Sequence, residues 1–198
     1  MPLDWYRLAG PFPDRMDSLR IDGQSLRLED VAKVAFGGVQ VSISEDAGER
    51  VARARALVDA EAASGRAVYG VNTGFGFLSR VRIPHDDLAQ LQLNLIRSHS
   101  VGVGDPLNDR EVRALMLLRA NVMATGRSGV RIETLQLLVD MLNRDILPVV
   151  PSKGSVGASG DLAPLAHIAL AMIGEGPVKV DGRILRGADA LAQFGLST

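Results

Sequence analysis

The chain has 198 residues, of which 46% are hydrophobic and 23% charged, and it contains no cysteine. These values exclude a disordered chain, disulfide bonds and thiolate metal sites. Because 22 basic and 23 acidic residues leave a net charge of −1, the composition indicates neither a nucleic-acid-binding nor a membrane-binding surface. No apolar run approaches the ~20 residues needed to cross a bilayer and no signal-peptide pattern is visible, so we expect a cytoplasmic location.

The first third of the chain predicts short helices and strands separated by turns. Residues 1–17 contain three prolines and no periodicity, which predicts a loose lead-in. Ser44 is a typical N-cap and Gly65 a typical helix end, and together they predict a helix over 44–64. The predicted elements are, in order, a strand–turn–strand over 18–28 around Asp22-Gly23, a helix over 28–35, a strand over 39–43 and the helix over 44–64, with Val51, Ala54, Leu57 and Val58 on its apolar face.

A glycine-rich segment follows over residues 66–76. Three glycines within seven residues predict a mobile loop rather than the interior of a strand. Tyr69 lies in this loop. From the residue alone, Tyr69 is either a half-buried aromatic side chain or a phenol held over a cleft, and both interpretations stay open.

The next segment, residues 84–100, predicts a helix. Leucines and His99 recur at three- and four-residue spacing, which places them on one face. His99 is therefore either a core histidine or a functional group. Because the three histidines of the chain have no ligand spacing, we expect no metal site.

The rest of the chain predicts a mainly α fold, with short β segments near the N-terminal region and a β-hairpin near the C-terminus. An Asp181-Gly182 pair marks the turn of that hairpin. The methionines of the helix predicted over 109–124 are expected to fill the core. The predicted elements are a turn over 102–107, helices over 109–124 (capped by Asn108) and 132–143, an extended segment over 147–151, a buried helix over 162–173, the hairpin over 178–185 and a last helix from 187 to 195. The periodic positions of the helix over 109–124 are Val112, Leu115, Met116, Arg119, Val122 and Met123, and the apolar face of the helix over 132–143 is formed by Leu135, Leu138, Val139 and Leu142.

The most informative stretch runs from Gly154 to Ala166. Its first half is built of small residues, which allow backbone atoms to approach one another. Its second half opens an apolar run in which His167 is the only strongly polar residue, and Pro164 suits a first helical turn. Ser159 is therefore expected just before a helix N-terminus, where free N–H groups favour developing negative charge.

Three common motifs fail in this stretch. Asp161 stands where a phosphate-binding loop needs Lys, and where a hydrolase nucleophile elbow needs Gly, while the glycine spacing does not fit a dinucleotide fingerprint. Backbone chemistry does fit. In a tight bend, the Gly160 amide nitrogen can attack the Ala158 carbonyl carbon, and loss of water from the ring and from Ser159 leaves a methylidene-imidazolone electrophile.

The block Ala-Ser-Gly-Asp-Leu-Ala-Pro-Leu-Ala over 158–166 resembles the signature of the aromatic amino acid ammonia-lyases. The resemblance extends from about Leu19 to Leu196 and is closest to the histidine-specific members. It implies non-oxidative elimination of ammonia from L-histidine to give urocanate, with no external cofactor. The roles it implies are a self-formed methylidene-imidazolone from Ala158, Ser159 and Gly160, assistance to ring closure by Asp161, a catalytic base at Tyr69 and substrate selection by Ser98 and His99.

The resemblance also implies how such a site is assembled. Members of the family are much longer tetramers whose active sites combine several subunits, so residues 18–198 look like the N-terminal portion of such an enzyme. We expect a small amino acid substrate, a homo-oligomer or a complementing C-terminal chain, and little activity of the 198-residue chain alone. Two alternatives stay open: another aromatic amino acid lyase or aminomutase, and a truncated, non-catalytic remnant that acts as an association module.

Overall fold

The computed structural model describes residues 18–198, and the lead-in predicted over 1–17 lies outside them. The described part is mainly helical with short strands, as predicted. Its elements, in chain order, are β1 (Ser18–Ile21), α1 (Leu28–Phe36), β2 (Gln40–Ile43), α2 (Glu45–Ala63), α3 (Leu88–His99), β3 (Val103–Pro106), α4 (Asp109–Ala124), α5 (Ile132–Asn143), β4 (Leu147–Pro148), β5 (Pro151–Lys153), β6 (Val156–Gly157), β7 (Gly160–Asp161), α6 (Ala163–Met172), β8 (Pro177–Val180), β9 (Arg183–Arg186) and α7 (Gly187–Gln193).

Helices α4 and α5 form the interior, and α4 also packs against α1 and α2. The apolar face predicted for α5 is confirmed, since Leu135, Leu138, Val139 and Leu142 are all buried. Met116 of α4 is buried as well, in agreement with its expected role as core filler. Burying one such side chain completely stabilises the fold by roughly 1.5–3 kcal/mol relative to leaving it exposed.

The strand–turn–strand predicted over 18–28 is wrong in its second half. Strand β1 pairs in parallel with β2, and α1 forms the crossover between them. The Asp22 carboxylate explains the turn, because its Oδ1 accepts hydrogen bonds from the backbone N–H groups of Ser25 and Gln24, each at 2.8 Å. These bonds lower the pKa of the Asp22 carboxyl to about 2. The chain after Asp22 therefore turns away from β1 and enters a helix.

A second difference concerns the turn predicted over 102–107. Val103–Pro106 forms strand β3, which pairs antiparallel with β5 in an irregular register. The pairing continues at Leu107, whose N–H donates to the Val150 carbonyl at 2.8 Å. The sequence Gly-Asp-Pro is typical of turns, and only the tertiary contact with β5 makes this segment extended.

Two of the predicted helix faces are also only partly correct. Leu57 of α2 and Val122 of α4 are 69% and 51% exposed, although the periodicity assigned them to buried faces. The helix predicted over 84–100 begins later than expected, because His85–Asp87 forms a 3-10 turn and α3 starts at Leu88. No side chain of α3 is buried.

The predicted helix caps and the C-terminal hairpin are confirmed. Ser44 caps α2 by accepting the Ala47 N–H, and Asn108 caps α4 by accepting two backbone N–H groups. Strands β8 and β9 form the expected hairpin, and both turn residues, Asp181 and Gly182, have positive φ. No helix within residues 18–198 has the length and apolar character needed to cross a membrane.

Candidate functional site

The Ala158-Ser159-Gly160 triplet lies in a very tight hairpin. Strands β6 and β7 pair antiparallel, with Gly157 opposite Gly160, so that Ala158 and Ser159 are the two turn residues between them. Gly160 has φ of +82°, a conformation that residues with a side chain rarely adopt. The tight bend expected from the small residues is therefore present, and it places the Gly160 amide nitrogen one residue beyond the turn.

Asp161 is fixed directly beside the triplet. Its Oδ1 accepts a hydrogen bond from the Ala163 N–H at 3.0 Å, which satisfies one of the free donors at the start of α6. The carboxylate also packs so closely against Gly154 that a Cβ on that glycine would overlap it. The glycine at 154 therefore makes room for the Asp161 carboxylate.

A cavity of about 330 Å³ brings the triplet together with the end of α3. Five of the sequence-predicted site residues line it: Ser98, His99, Ala158, Ser159 and Gly160. Val101, Leu162 and Ala163 add apolar surface to the same walls. Residues about 60 positions apart in the sequence thus share one cavity, which is large enough for a small amino acid.

The side chains of Ser98 and His99 are oriented by the last turn of α3. Ser98 Oγ donates to the Leu95 carbonyl at 2.9 Å, and His99 Nδ1 lies 2.9 Å from the same oxygen. Because a carbonyl oxygen only accepts hydrogen bonds, the proton of a neutral His99 lies on Nδ1 in this arrangement. Nε2 then has a lone pair that can accept a hydrogen bond from a ligand.

Tyr69 is not among the residues that line this cavity. It lies in a loop, as predicted, with its side chain 63% exposed and its ring edge against Phe75 at a centroid distance of 6.1 Å. The loop is held by Asn72, whose buried amide accepts the Val68 N–H and donates to the Arg66 carbonyl, both at 2.7 Å. Tyr69 therefore lies in the predicted loop but outside the lining of this cavity.

Two residues in this region were not predicted as site residues from the sequence. Asn72 was passed over as part of a glycine-rich loop, although an Asn among glycines is a typical loop-fixing residue. His167 of α6 accepts a hydrogen bond from the Gly102 N–H at Nε2, at 3.1 Å. Its position as the one strongly polar side chain in an apolar run was the available signal. Burial lowers the pKa of the His167 imidazole, which favours the neutral form that this bond requires.

The electrophile expected from the sequence fits this geometry. The triplet is a turn, Gly160 has the conformation of a residue without a side chain, and the turn lines a cavity.

Within residues 18–198, no group of three or more His, Asp or Glu side chains is arranged to hold a metal ion.

Comparison with known proteins decides the family. Residues 26–198 match the model of the aromatic amino acid lyase family. The chain belongs to the aromatic amino acid lyases. The expected resemblance is thus confirmed over nearly all of the described residues.

Individual relatives have different substrates in their names. The chain is 56% identical over 176 residues to a histidine ammonia-lyase of Myxococcus xanthus, covering 89% of this chain and 35% of that protein. Among solved structures it is similar to the ergothioneine-degrading enzyme ergothionase of Treponema denticola (41% identity, TM-score 0.87, 91% of this chain, 36% of that one). It is also similar to tyrosine aminomutase of Streptomyces globisporus (37% identity, TM-score 0.85, 91% and 34%). The chain spans about a third of the length of each.

Proposed function

We propose that this chain carries the electrophile-forming part of a histidine ammonia-lyase, which eliminates ammonia from L-histidine to give urocanate. The observation that carries the proposal is the shared cavity, in which Ser98 and His99 face the Ala158-Ser159-Gly160 turn. The 56% identity to a histidine ammonia-lyase supports this substrate over those of the less similar relatives.

Formation of the electrophile needs only this chain's own atoms. The Gly160 nitrogen attacks the Ala158 carbonyl carbon, and the ring loses that oxygen as water. Ser159 then loses its hydroxyl with its α-hydrogen as a second water, so the conversion involves no oxidant or reductant. The group supplies an electron sink for the departure of ammonia. Asp161, adjacent to Gly160 and anchored by the Ala163 N–H, is the proposed assistant to ring closure.

His99 is the proposed contact for the substrate's imidazole. With its proton on Nδ1, its Nε2 accepts a hydrogen bond from an imidazole N–H of the substrate. Ser98, bonded to the same Leu95 carbonyl, supports that orientation. Such a directed contact favours a nitrogen-containing ring over a purely apolar one, because an apolar ring leaves the polar group without a partner.

Tyr69 is proposed as the base that removes the substrate proton, on the family resemblance alone. A free phenol has a pKa of about 10, so this role needs stabilisation of the phenolate by positive charge or by hydrogen-bond donors. The described cavity does not include Tyr69. The proposal therefore requires further parts of the active site to approach the loop that carries it.

We propose that additional polypeptide completes the site. It is supplied either in a homotetramer of a longer chain that includes this portion or by a complementing C-terminal chain. The chain covers only 35% of the histidine ammonia-lyase relative, and the cavity is rimmed by exposed apolar side chains such as Val101 and Leu162. Apolar surface of this kind is typical of a contact with another chain.

Complementation tests this function. The chain is mixed with a separately produced C-terminal two-thirds of the Myxococcus xanthus relative, and urocanate is followed after addition of L-histidine. We expect urocanate from the mixture, and none when the chain carries Ser159→Ala. A mixture that forms a stable complex without turning over histidine would contradict the proposal.

A related aminomutase or lyase is the second candidate, favoured by the TM-score of 0.85 to a tyrosine aminomutase. The same mixture is therefore offered histidine, tyrosine, phenylalanine and ergothioneine. Preference for tyrosine or phenylalanine, or formation of a β-amino acid, would favour this candidate. If neither ring formation nor turnover occurs, the chain is the non-catalytic association module.

A further inference from the structure

A hydrogen bond joins the two walls of the candidate cavity. One wall is the end of α3 with the segment that leads into β3, and the other is the triplet with the start of α6. Gly102, in the segment between α3 and β3, donates its N–H to Nε2 of His167, one turn into α6, at 3.1 Å. The partners are 65 residues apart in the sequence, so the bond depends on the tertiary fold.

The two walls are also in close contact at this point. A Cβ on Gly102 would lie 3.0 Å from Pro151 Cβ and 3.1 Å from His167 Nε2. Distances of this kind are tighter than ordinary van der Waals contact, so a side chain at position 102 would require Pro151 or His167 to shift by a few tenths of an ångström. Because Nε2 accepts the bond, a neutral His167 carries its proton on Nδ1.

The end of α3 is also held by packing of α3 beside α6 and by the pairing of β3 with β5, which begins at Val103. The helix has no buried side chain. A second link to the α6 region is the ion pair between Arg97 and Glu175, but both side chains are more than a third exposed, and exposed pairs of this kind are weak. The partly buried bond from Gly102 to His167 is therefore the better-protected link beside Ser98 and His99.

We propose that His167 is a positioning residue, which sets the distance between the Ser98-His99 wall and the triplet wall of the cavity by holding the Gly102 amide. The role of His167 in spacing the two walls does not depend on the proposed function. The consequence for substrate binding rests on the proposed function, because it takes His99 as the contact for the substrate's imidazole.

Two introduced thiols measure the spacing without any ligand. The chain has no cysteine, so Val101→Cys and Leu162→Cys would supply its only thiols, one on each wall. The rate at which a short bifunctional thiol reagent joins them reports how closely the walls are held. In this background, His167→Phe keeps an aromatic ring but removes the acceptor, whereas His167→Gln keeps an acceptor at similar reach.

We expect His167→Phe to slow the joining at least threefold and His167→Gln to restore it to within twofold of the parent. Gly102→Ala is a second variant that separates the walls by steric contact, and it also slows the joining. If circular dichroism shows that His167→Phe does not fold, the joining rate of Gly102→Ala tests the positioning role instead. Glu175→Gln, which removes the exposed ion pair, is the matched control and changes the rate much less.

Imidazole binding, followed through the nuclear magnetic resonance signals of His99, provides the functional readout. We expect several-fold weaker binding in His167→Phe and recovery in His167→Gln. Unchanged joining rates in His167→Phe and Gly102→Ala would overturn the positioning role. Slower joining with unchanged imidazole affinity would overturn the consequence for substrate binding and support the spacing role alone. If the parent chain binds no imidazole, the proposed role of His99 fails instead, and the joining rates alone decide the role of His167.

Discussion

Helices α3 and α5 each have 12 residues, yet α5 has five buried side chains and α3 has none. Helix α5 belongs to the interior, where burial stabilises the fold. Helix α3 carries Ser98 and His99 and packs beside α6 with side chains that are partly buried or exposed, and polar contacts such as Gly102 to His167 and Arg97 to Glu175 add to this packing. The comparison indicates a fully buried core on one side and, on the other, a less buried site in which directional bonds supplement limited apolar packing.

The largest predicted effect is in the interior. Leu138→Ala in α5 removes a completely buried side chain, and we expect a loss of about 2–5 kcal/mol in the free energy of unfolding. Leu91→Ala is the matched variant in α3, where the leucine is only partly buried, and it should cost less than half as much. Urea denaturation of both variants measures the difference. Equal losses would contradict the distinction between the two helices.

The next effect is in the triplet hairpin. Gly160→Ala forces a side chain into φ of +82°, which costs about 1–2 kcal/mol. It also crowds the amide nitrogen that closes the ring, so we expect the water losses detected by mass spectrometry to disappear. Gly157→Ala is the control across the same hairpin, because a Cβ meets nothing within 4 Å at either glycine but only Gly160 of the two has a positive φ. Ring formation that survives Gly160→Ala would argue against attack by this nitrogen.

Acid should weaken the site region through His167. Burial lowers the pKa of this imidazole below its usual 6.5, so the unfolded chain takes up a proton more readily than the folded chain. The His167 contribution to stability is therefore complete above pH 6.5 and is lost as the pH falls from 6.5 toward the folded-state pKa. Denaturation of the parent and of His167→Gln between pH 7.5 and 5 isolates it, and parallel curves would contradict this assignment. Asp22, with its pKa of about 2, responds only in more acidic solution.

The smallest effect is expected at the exposed ion pair. Glu175→Gln removes the carboxylate that pairs with Arg97, and with it the hydrogen bond that lowers the pKa of the Glu175 carboxyl in the parent chain. Both groups are solvated, so the urea midpoint should hardly move, and any change should vanish at high salt. A salt-independent loss comparable to that of Leu138→Ala would place the α3 attachment among the main stabilising contacts.

Periodicity, sequence motifs and the family resemblance were enough to predict much of the fold and five residues that line the candidate cavity. The α5 face followed from 3.6-residue spacing, and the triplet from its small residues and the block that follows it. The parallel pairing of β1 could not be predicted, because Asp22-Gly23 is typical of a hairpin turn. The strand that actually pairs with β1 is β2, which follows helix α1. The Gly102–His167 bond joins residues 65 positions apart, which no local pattern encodes. The role of Tyr69 as a base was predicted from the family resemblance alone. Tyr69 does not line the cavity that contains the triplet.

The central claim is that the Ala158-Ser159-Gly160 turn makes its own electrophile, and the intact mass of the purified chain tests it most directly. A deficit of two water molecules, mapped to the peptide that contains the triplet and absent in Ser159→Ala, is the result we predict. An unmodified mass in a correctly folded chain would contradict it, and would show that the hairpin geometry described here is not sufficient for ring closure.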